Sequence, residues 1–169
     1  GREVFCQKGA TLTYNGRDRQ TGDITFGGYS SHIVVRDEFV LRMPDGLDPA
    51  RAAPLLCAGI TTYSPLRHWQ VGPGSKVAVA GLGGLGHMGV KLAHAMGAEV
   101  TVLTRSAAKA GEAKALGAHH VLLASDTDSI KRATGTFDFV LDTIPVVHEL
   151  DPYLRLVRCA RSLVKRYSG

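Results

Sequence analysis

Three glycines in the stretch AVAGLGGLGHMGVKLA stand at the spacing G-x-G-x-x-G: Gly81, Gly83 and Gly86. The apolar run KVAVAG leads into them and a helical pattern follows. In that setting the spacing is one that cradles a pyrophosphate. Gly81 makes the tight turn out of the strand. Gly83 has no Cβ, so a phosphate can approach the backbone, and Gly86 lets the helix pack closely on the strand. Gly84 and Leu85 lie inside the motif and count with it as cofactor-binding residues. The helix start offers free N–H groups and a partial positive charge to the phosphates. The bland alternative is a tight turn that holds nothing.

The next strand, EVTVLT, ends where a dinucleotide fold reads the ribose, about 20 residues beyond the first glycine. An Asp or Glu there would suit a free 2′-hydroxyl. This chain has Thr104, Arg105 and Ser106, then Lys109, and no acid until Glu112. A carboxylate would repel a 2′-phosphate, whereas these side chains donate to one. The pattern predicts NADP(H) rather than NAD(H). The alternative is that Arg105 and Lys109 are only solvated surface. Methyltransferases use a similar turn, but that class needs a carboxylate for its ribose, so the missing acid counts against them.

Cys6, Cys57 and Cys159 stand far apart. That is no disulfide framework, and it fits a reducing cytoplasm. Cys57, in PLLCAGITTY, sits in an apolar helical run and by residue type alone reads as a core thiol. The seven histidines offer no i, i+4 metal pair. His87 follows the glycine turn, where a helix dipole disfavours its charged form. His119 and His120 read as strand-edge residues, and no catalytic histidine is assigned.

The elements that must position these residues follow from pattern. GGYSSHIVVRDEFVLRMP alternates and reads as strands. DGLDPARAAPLLCAGITTYSPLRHW reads as helix, with Asp48 as N-cap and Pro49 at N1, and with Pro54 and Pro65 kinking or dividing it. Beyond residue 75 strands and helices alternate: KVAVAG, LGHMGVKLAHAMG, EVTVLT, SAAKAGEAKALG, HHVLLA, DTDSIKRATG and FDFVLDT. Alternation argues for a parallel sheet with right-handed crossovers, and the uniformly apolar strands argue that both faces are covered.

Composition agrees: of 169 residues, 44% are hydrophobic and 21% charged. No apolar run is long enough for a membrane span, and residues 1–20 carry no apolar leader segment. The chain has no starting Met and opens as the middle of something. Net charge is +5, but the positive residues are scattered and gather only in RLVRCARSLVKR, which argues against a nucleic-acid partner. A cofactor with several phosphates suits the same charge.

GGYSSHIVV, FVLRMPDGL, AAPLLCAGITTYSPLRHW, the glycine-turn segment and FDFVLDT together resemble the zinc-dependent medium-chain alcohol dehydrogenases. The nearest branch is that of the cinnamyl-alcohol-dehydrogenase-like, NADP-dependent aldehyde reductases. The resemblance covers most of residues 1–156. It implies an α/β fold: an incomplete Rossmann parallel sheet with helices on both faces, preceded by the tail end of a GroES-like β domain. The expected division is 1–47 for that remnant, 48–157 for the partial NADP-binding domain and 158–169 for an aberrant basic tail.

The resemblance also reverses the reading of Cys57, which matches the third protein ligand of the family's catalytic zinc. Thr61 falls where the family's CAGIT threonine contacts the cofactor side of the cleft. Cys6 matches the last of four structural-zinc cysteines, and Cys159 matches nothing. The implied activity is hydride transfer between NADP(H) and a primary alcohol or aldehyde, in a cytoplasmic homodimer with no membrane or nucleic-acid partner. The family's first catalytic cysteine, its His-Glu motif, its proton-relay hydroxyl and three structural cysteines all belong upstream of Gly1. After LDPYLRL the family would continue with a buried strand, and Arg158, Arg161, Lys165 and Arg166 interrupt it. A catalytically inactive, cofactor-binding remnant is therefore the competing expectation. A zinc-free quinone reductase and an S-adenosylmethionine-dependent methyltransferase follow behind it.

Overall fold

A computed structural model describes residues 12–165, with side chains described as far as Arg158. Cys6 thus lies outside the described residues, as does the side chain of Cys159. The chain divides into two compact units, 1–46 and 47–169, one residue ahead of the boundary that the sequence predicts.

In the first unit, β1 (Tyr14–Arg17) and β2 (Ile24–Phe26) form an antiparallel hairpin. Its turn is tied by Asp18, whose carboxylate accepts the N–H groups of Gln20 at 2.8 Å and Thr21 at 2.9 Å. The strands expected from GGYSSHIVVRDEFVLRMP do not form. Beyond Phe26 that stretch holds only a 3-10 turn at Asp37–Phe39. Ile33, Val34, Val35, Val40 and Leu41 are exposed. Apolar alternation supplies a face but no partner, and a strand needs neighbours for its backbone groups.

The second unit opens with α1 (Pro49–Ala52), a 3-10 segment Ala53–Leu56 and α2 (Ala58–His68). Asp48 caps α1 as expected, accepting from the Ala50 N–H at 3.0 Å. Pro54 falls where the helical run is divided, whereas Pro65 sits inside α2 without ending it. Then come β3 (Lys76–Ala80), α3 (Gly84–Ala95), β4 (Glu99–Thr104), α4 (Ala110–Ala115), β5 (His120–Leu123), α5 (Thr127–Arg132), β6 (Phe137–Asp142), α6 (Asp151–Leu154) and β7 (Val157–Lys165). All five strands are parallel, in the order β5-β4-β3-β6-β7.

Side chains alternate across this sheet. Val77, Val79, Val100, Val102 and Leu141 join Leu66 of α2 and Val90 of α3 on one face. Ala78, Ala80, Leu103 and Val140 face the other way, toward Leu156, Ile130 of α5 and Tyr153 of α6. Both faces are covered, which is why the strands are apolar throughout.

The chain beyond residue 157 differs from expectation. Instead of a frayed tail, β7 runs to Lys165 as the fifth strand. Its pairing with β6 shifts register: Phe137 pairs with Val157 and Phe139 with Ser162, so β7 carries three extra residues there. Arg158, inside that irregular stretch, reaches Asp138 at 3.4 Å.

α5 carries a pH-dependent cap. The carboxyl of Asp126 lies below the usual carboxylate range, first because it accepts from the Ser129 hydroxyl and then from the Ser129 N–H. A lowered value means that the cap is complete above the ordinary carboxylate range and is lost as pH falls through the lowered one. Amide exchange in α5 is expected to speed up in acid in the native sequence. Asp126→Asn is expected to flatten that dependence.

Candidate functional site

The chain runs from β3 outward to β4 and β5, then crosses back to β6 on the other side of β3. Open α/β sheets bind ligands at such a reversal, beyond the carboxyl ends of the strands. A groove of about 500 Å³ lies at that point, lined by Gly81 to Leu85, Leu103 to Ser106, Lys109, Ala124, Thr143 to Pro145 and Tyr153.

One wall is the glycine turn. Gly81 has φ +88°, the left-handed region that glycine adopts without cost. Its N–H donates to the Leu103 carbonyl at 2.9 Å, which fixes the turn to β4. A Cβ on Gly86 would stand 2.2 Å from the Gly81 carbonyl oxygen, so this glycine permits a backbone-to-backbone approach within the turn. The close approach of α3 to the sheet falls to Gly89, where a Cβ would come within 2.8 Å of Leu141. Gly83 and Gly84 differ: apart from adjoining backbone, no described residue lies within 4 Å of where their Cβ atoms would be. Both face the groove, and no side chain caps the first turn of α3. Its leading N–H groups are therefore oriented for an anion.

The opposite wall is the end of β4. Arg105, Ser106 and Lys109 are exposed in the groove, and no Asp or Glu is among the lining residues. Thr104 is buried and its hydroxyl accepts the Ser106 N–H at 3.2 Å, so it shapes the strand end. Lys109 is more than solvated surface: its ammonium donates to the Leu82 carbonyl at 2.9 Å and ties the two walls together.

His87 braces the turn from behind. Nδ1 faces the Gly83 carbonyl and Nε2 faces Glu112 of α4, each at 2.7 Å. Both partners are oxygen acceptors, so both contacts are hydrogen bonds only when both nitrogens carry protons. The contact with Glu112 is not legible in the local sequence, because Glu112 lies on another helix.

The third side of the groove lay beyond the sequence reading. It is the segment after β6. The Thr143 hydroxyl donates to the Ala80 carbonyl at 2.7 Å and so joins the ends of β6 and β3. Tyr153 of α6 closes the groove. Burial pushes its phenol up from the ordinary value, the Asp142 carboxylate adds to this, and Arg105 pulls it back. The phenol therefore stays protonated at neutral pH. Tyr153 lies far from the glycine motif in sequence, and only the crossover places it here.

Cys57 joins the 3-10 segment to α2 and is exposed. Thr61, one turn along α2, is half-buried and outside the set that lines the groove. Among the described residues no three His, Cys, Asp or Glu side chains gather where they can hold a metal ion. Cys57 is one donor, and a catalytic zinc needs three protein ligands. The donors described here do not make a zinc site. The groove, by contrast, has room for phosphates against Gly83 and Gly84 and cationic donors beyond them.

Residues 84–164 match the zinc-binding dehydrogenase family. A probable formaldehyde dehydrogenase of Bacillus subtilis is 54% identical over 162 residues, which is 96% of this chain and 46% of that protein. A cinnamyl alcohol dehydrogenase from Sorghum bicolor superposes with a TM-score of 0.89 at 41% identity, over 100% of this chain and 49% of its own. A Helicobacter pylori cinnamyl alcohol dehydrogenase complexed with NADP(H) gives 0.85 at 40% identity, over 98% of this chain and 46% of its own. The chain thus spans about half the length of the relatives it matches. With its glycine turn at the sheet reversal and a fold shared with these enzymes, the chain carries a zinc-binding dehydrogenase domain over residues 84–164 and is similar over nearly its whole length to cinnamyl-alcohol-dehydrogenase-type enzymes.

Proposed function

We propose that this chain is the nucleotide-binding part of an NADP(H)-dependent, zinc-type oxidoreductase acting on small primary alcohols and aldehydes. The observation that carries this reading is the lining of the groove. A glycine turn and an uncapped helix start face Arg105, Ser106 and Lys109, with no carboxylate among the lining residues. The Helicobacter pylori relative complexed with NADP(H) supports the same cofactor.

The chain's own residues have distinct tasks. Gly83, Gly84 and the first N–H groups of α3 receive the pyrophosphate. Arg105 and Ser106 receive the 2′-phosphate, and Lys109 holds the two walls in register through Leu82. Bound there, NADP(H) supplies the hydride exchanged with the substrate carbon. Cys57 is proposed as one zinc ligand of the longer protein, and Thr61 as a residue on the cofactor side of its cleft. The other zinc donors come from outside the described residues. The same reading takes the whole protein as a cytoplasmic homodimer. No described helix is long and apolar enough to cross a membrane.

The test is a fluorescence titration of the full chain. NADPH is expected to bind at least about tenfold tighter than NADH, a difference of about 1.4 kcal/mol. S-adenosylmethionine is expected to leave the melting temperature unchanged. Equal affinity for the two dinucleotides overturns the assignment. With Cys57 as its one described zinc donor, the 169-residue chain is expected to bind cofactor without oxidising alcohol, and robust turnover would overturn that part.

A further inference from the structure

We propose that His87 is a positioning residue of the dinucleotide groove: its Nδ1 holds the Gly83 carbonyl and thereby keeps the Gly84 N–H turned toward the pyrophosphate, with Glu112 anchoring the ring to α4. The inference rests on the dinucleotide reading of the groove, which gives His87 no task.

The peptide between Gly83 and Gly84 joins two residues without Cβ atoms, so little steric hindrance resists its rotation. It is also the entry to α3, where no side chain caps the first turn. One bond from α3 itself holds it: the His87 N–H donates to the Gly83 carbonyl at 2.9 Å. The His87 ring adds a second, with Nδ1 2.7 Å from the same oxygen. A carbonyl only accepts, so Nδ1 is the donor. A neutral ring with its proton on Nδ1 and a ring charged at both nitrogens both make this contact. In a trans peptide the N–H points opposite to the carbonyl. A carbonyl drawn into α3 therefore leaves the Gly84 N–H facing out from the helix start, at the wall where Gly83 and Gly84 line the groove. A reversed peptide would present its oxygen to the phosphates instead, and the partial negative charge of that oxygen repels an anion.

The ring is itself anchored. Nε2 faces Glu112 at 2.7 Å, across 25 residues of sequence. Glu112 lies on α4, the helix that follows the strand end bearing Arg105. Leu82, one residue ahead of Gly83, is held from the same connection by the Lys109 ammonium at 2.9 Å. Two successive carbonyls of the glycine turn are thus fixed by contacts that lead to the segment 105–112. Those contacts set the pyrophosphate wall against the wall proposed for the 2′-phosphate. A surface ion pair by itself adds little to stability and would leave nucleotide affinity unchanged. The contact with Gly83 is what gives His87 its effect on the groove.

The closing experiment compares His87→Asn with His87→Gln in the full chain. The side-chain nitrogen of Asn stands as many bonds from the backbone as Nδ1 does, and that of Gln as many as Nε2. Asn therefore restores a donor to Gly83 without reaching Glu112, whereas Gln reaches toward Glu112 and leaves the Gly83 carbonyl to the helix alone. Dissociation constants for NADPH and NADH are taken by fluorescence at one fixed pH, with denaturant midpoints alongside. His87→Gln is expected to weaken both dinucleotides alike, by about tenfold, the worth of one hydrogen bond, because the pyrophosphate is common to them. His87→Asn is expected to stay within about threefold of the native chain. Glu112→Ala is expected to cost both dinucleotides about threefold, the scale of an exposed ion pair, and native affinity in that variant overturns the anchoring role.

A second readout needs no nucleotide. In 15N NMR spectra of the unliganded chain, the Gly84 amide signal is expected near its native position in His87→Asn and displaced in His87→Gln. Loss of the ring is common to both variants, so their difference reads the contact with Gly83. Equal affinities and equal Gly84 signals in the two variants overturn the proposal. So does a loss in His87→Gln that falls on NADPH alone, since that places the effect at the 2′-phosphate. Failure of the native chain to bind either dinucleotide overturns the dinucleotide reading instead, and the Gly84 signals then decide by themselves whether His87 holds the peptide.

Discussion

Gly86→Ala is expected to destabilise the nucleotide-binding unit by about 3 kcal/mol, the upper part of the range for forced overpacking, while Gly83→Ala leaves stability nearly unchanged and abolishes tight dinucleotide binding. The two glycines are three residues apart and chemically identical, so the contrast isolates what each does. At Gly86 the new methyl meets the Gly81 carbonyl oxygen at 2.2 Å and the Thr143 hydroxyl at 3.2 Å. The first of these is backbone and cannot rotate away. The turn must open, and the contacts that Gly81 makes to β4 and Thr143 loosen with it. At Gly83 the backbone has φ −104° and ψ −163°, which any residue adopts, and the methyl enters open space in the groove. It occupies the position that a pyrophosphate needs. Denaturant midpoints for both variants, with NADPH titrations alongside, separate the two losses. A Gly86→Ala chain as stable as the native one would refute the packing account, and a Gly83→Ala chain with native NADPH affinity would refute the binding account.

Arg105→Ala is expected to weaken NADPH binding about thirtyfold and NADH binding less than about threefold. A hydrogen bond between charged partners is worth about 2 kcal/mol, which is that thirtyfold factor. Arg105 is exposed at the end of β4 and lines the groove beside Ser106. Lys109 already gives one of its three N–H donors to the Leu82 carbonyl. The ratio of the two affinities is the deciding quantity, since a general disturbance of the groove lowers both equally. The loss is also expected to shrink in high salt, where exposed charge interactions are screened.

Much of this was legible in the sequence for a physical reason. Phosphate binding at a strand–helix turn requires glycines at fixed offsets. A buried parallel sheet likewise requires apolar strands separated by helices, so Gly81, Gly83, Gly86 and the β3–β6 framework are written locally. The residues proposed for the 2′-phosphate were readable because they lie on one strand end, Thr104 to Ser106. What stayed hidden depends on non-local encounters. Tyr153 and Thr143 reach the groove only through the crossover to β6. Glu112 reaches His87 from a separate helix, and nothing in either local segment announces the pairing. The alternating stretch at residues 27–44 carries a strand pattern without a strand, because pattern sets a face and pairing requires a neighbour. β7 was missed for the opposite reason: its arginines break the apolar pattern, yet its backbone pairs with β6 in a shifted register.

The hydrogen bond from Thr143 to Ala80 spans 63 residues, and this has a consequence for the order of assembly. β3 and β4 are joined through one helix, α3, and form between near neighbours, whereas the groove gains its third side only when β6 docks beside β3. Contacts between distant parts of a chain form late, because loop closure must come first. A nucleotide added to the refolding chain therefore finds no complete site while only the early strands have paired. NADPH fluorescence becomes a clock for the arrival of β6, lagging the helical signal that marks the first half of the sheet unit.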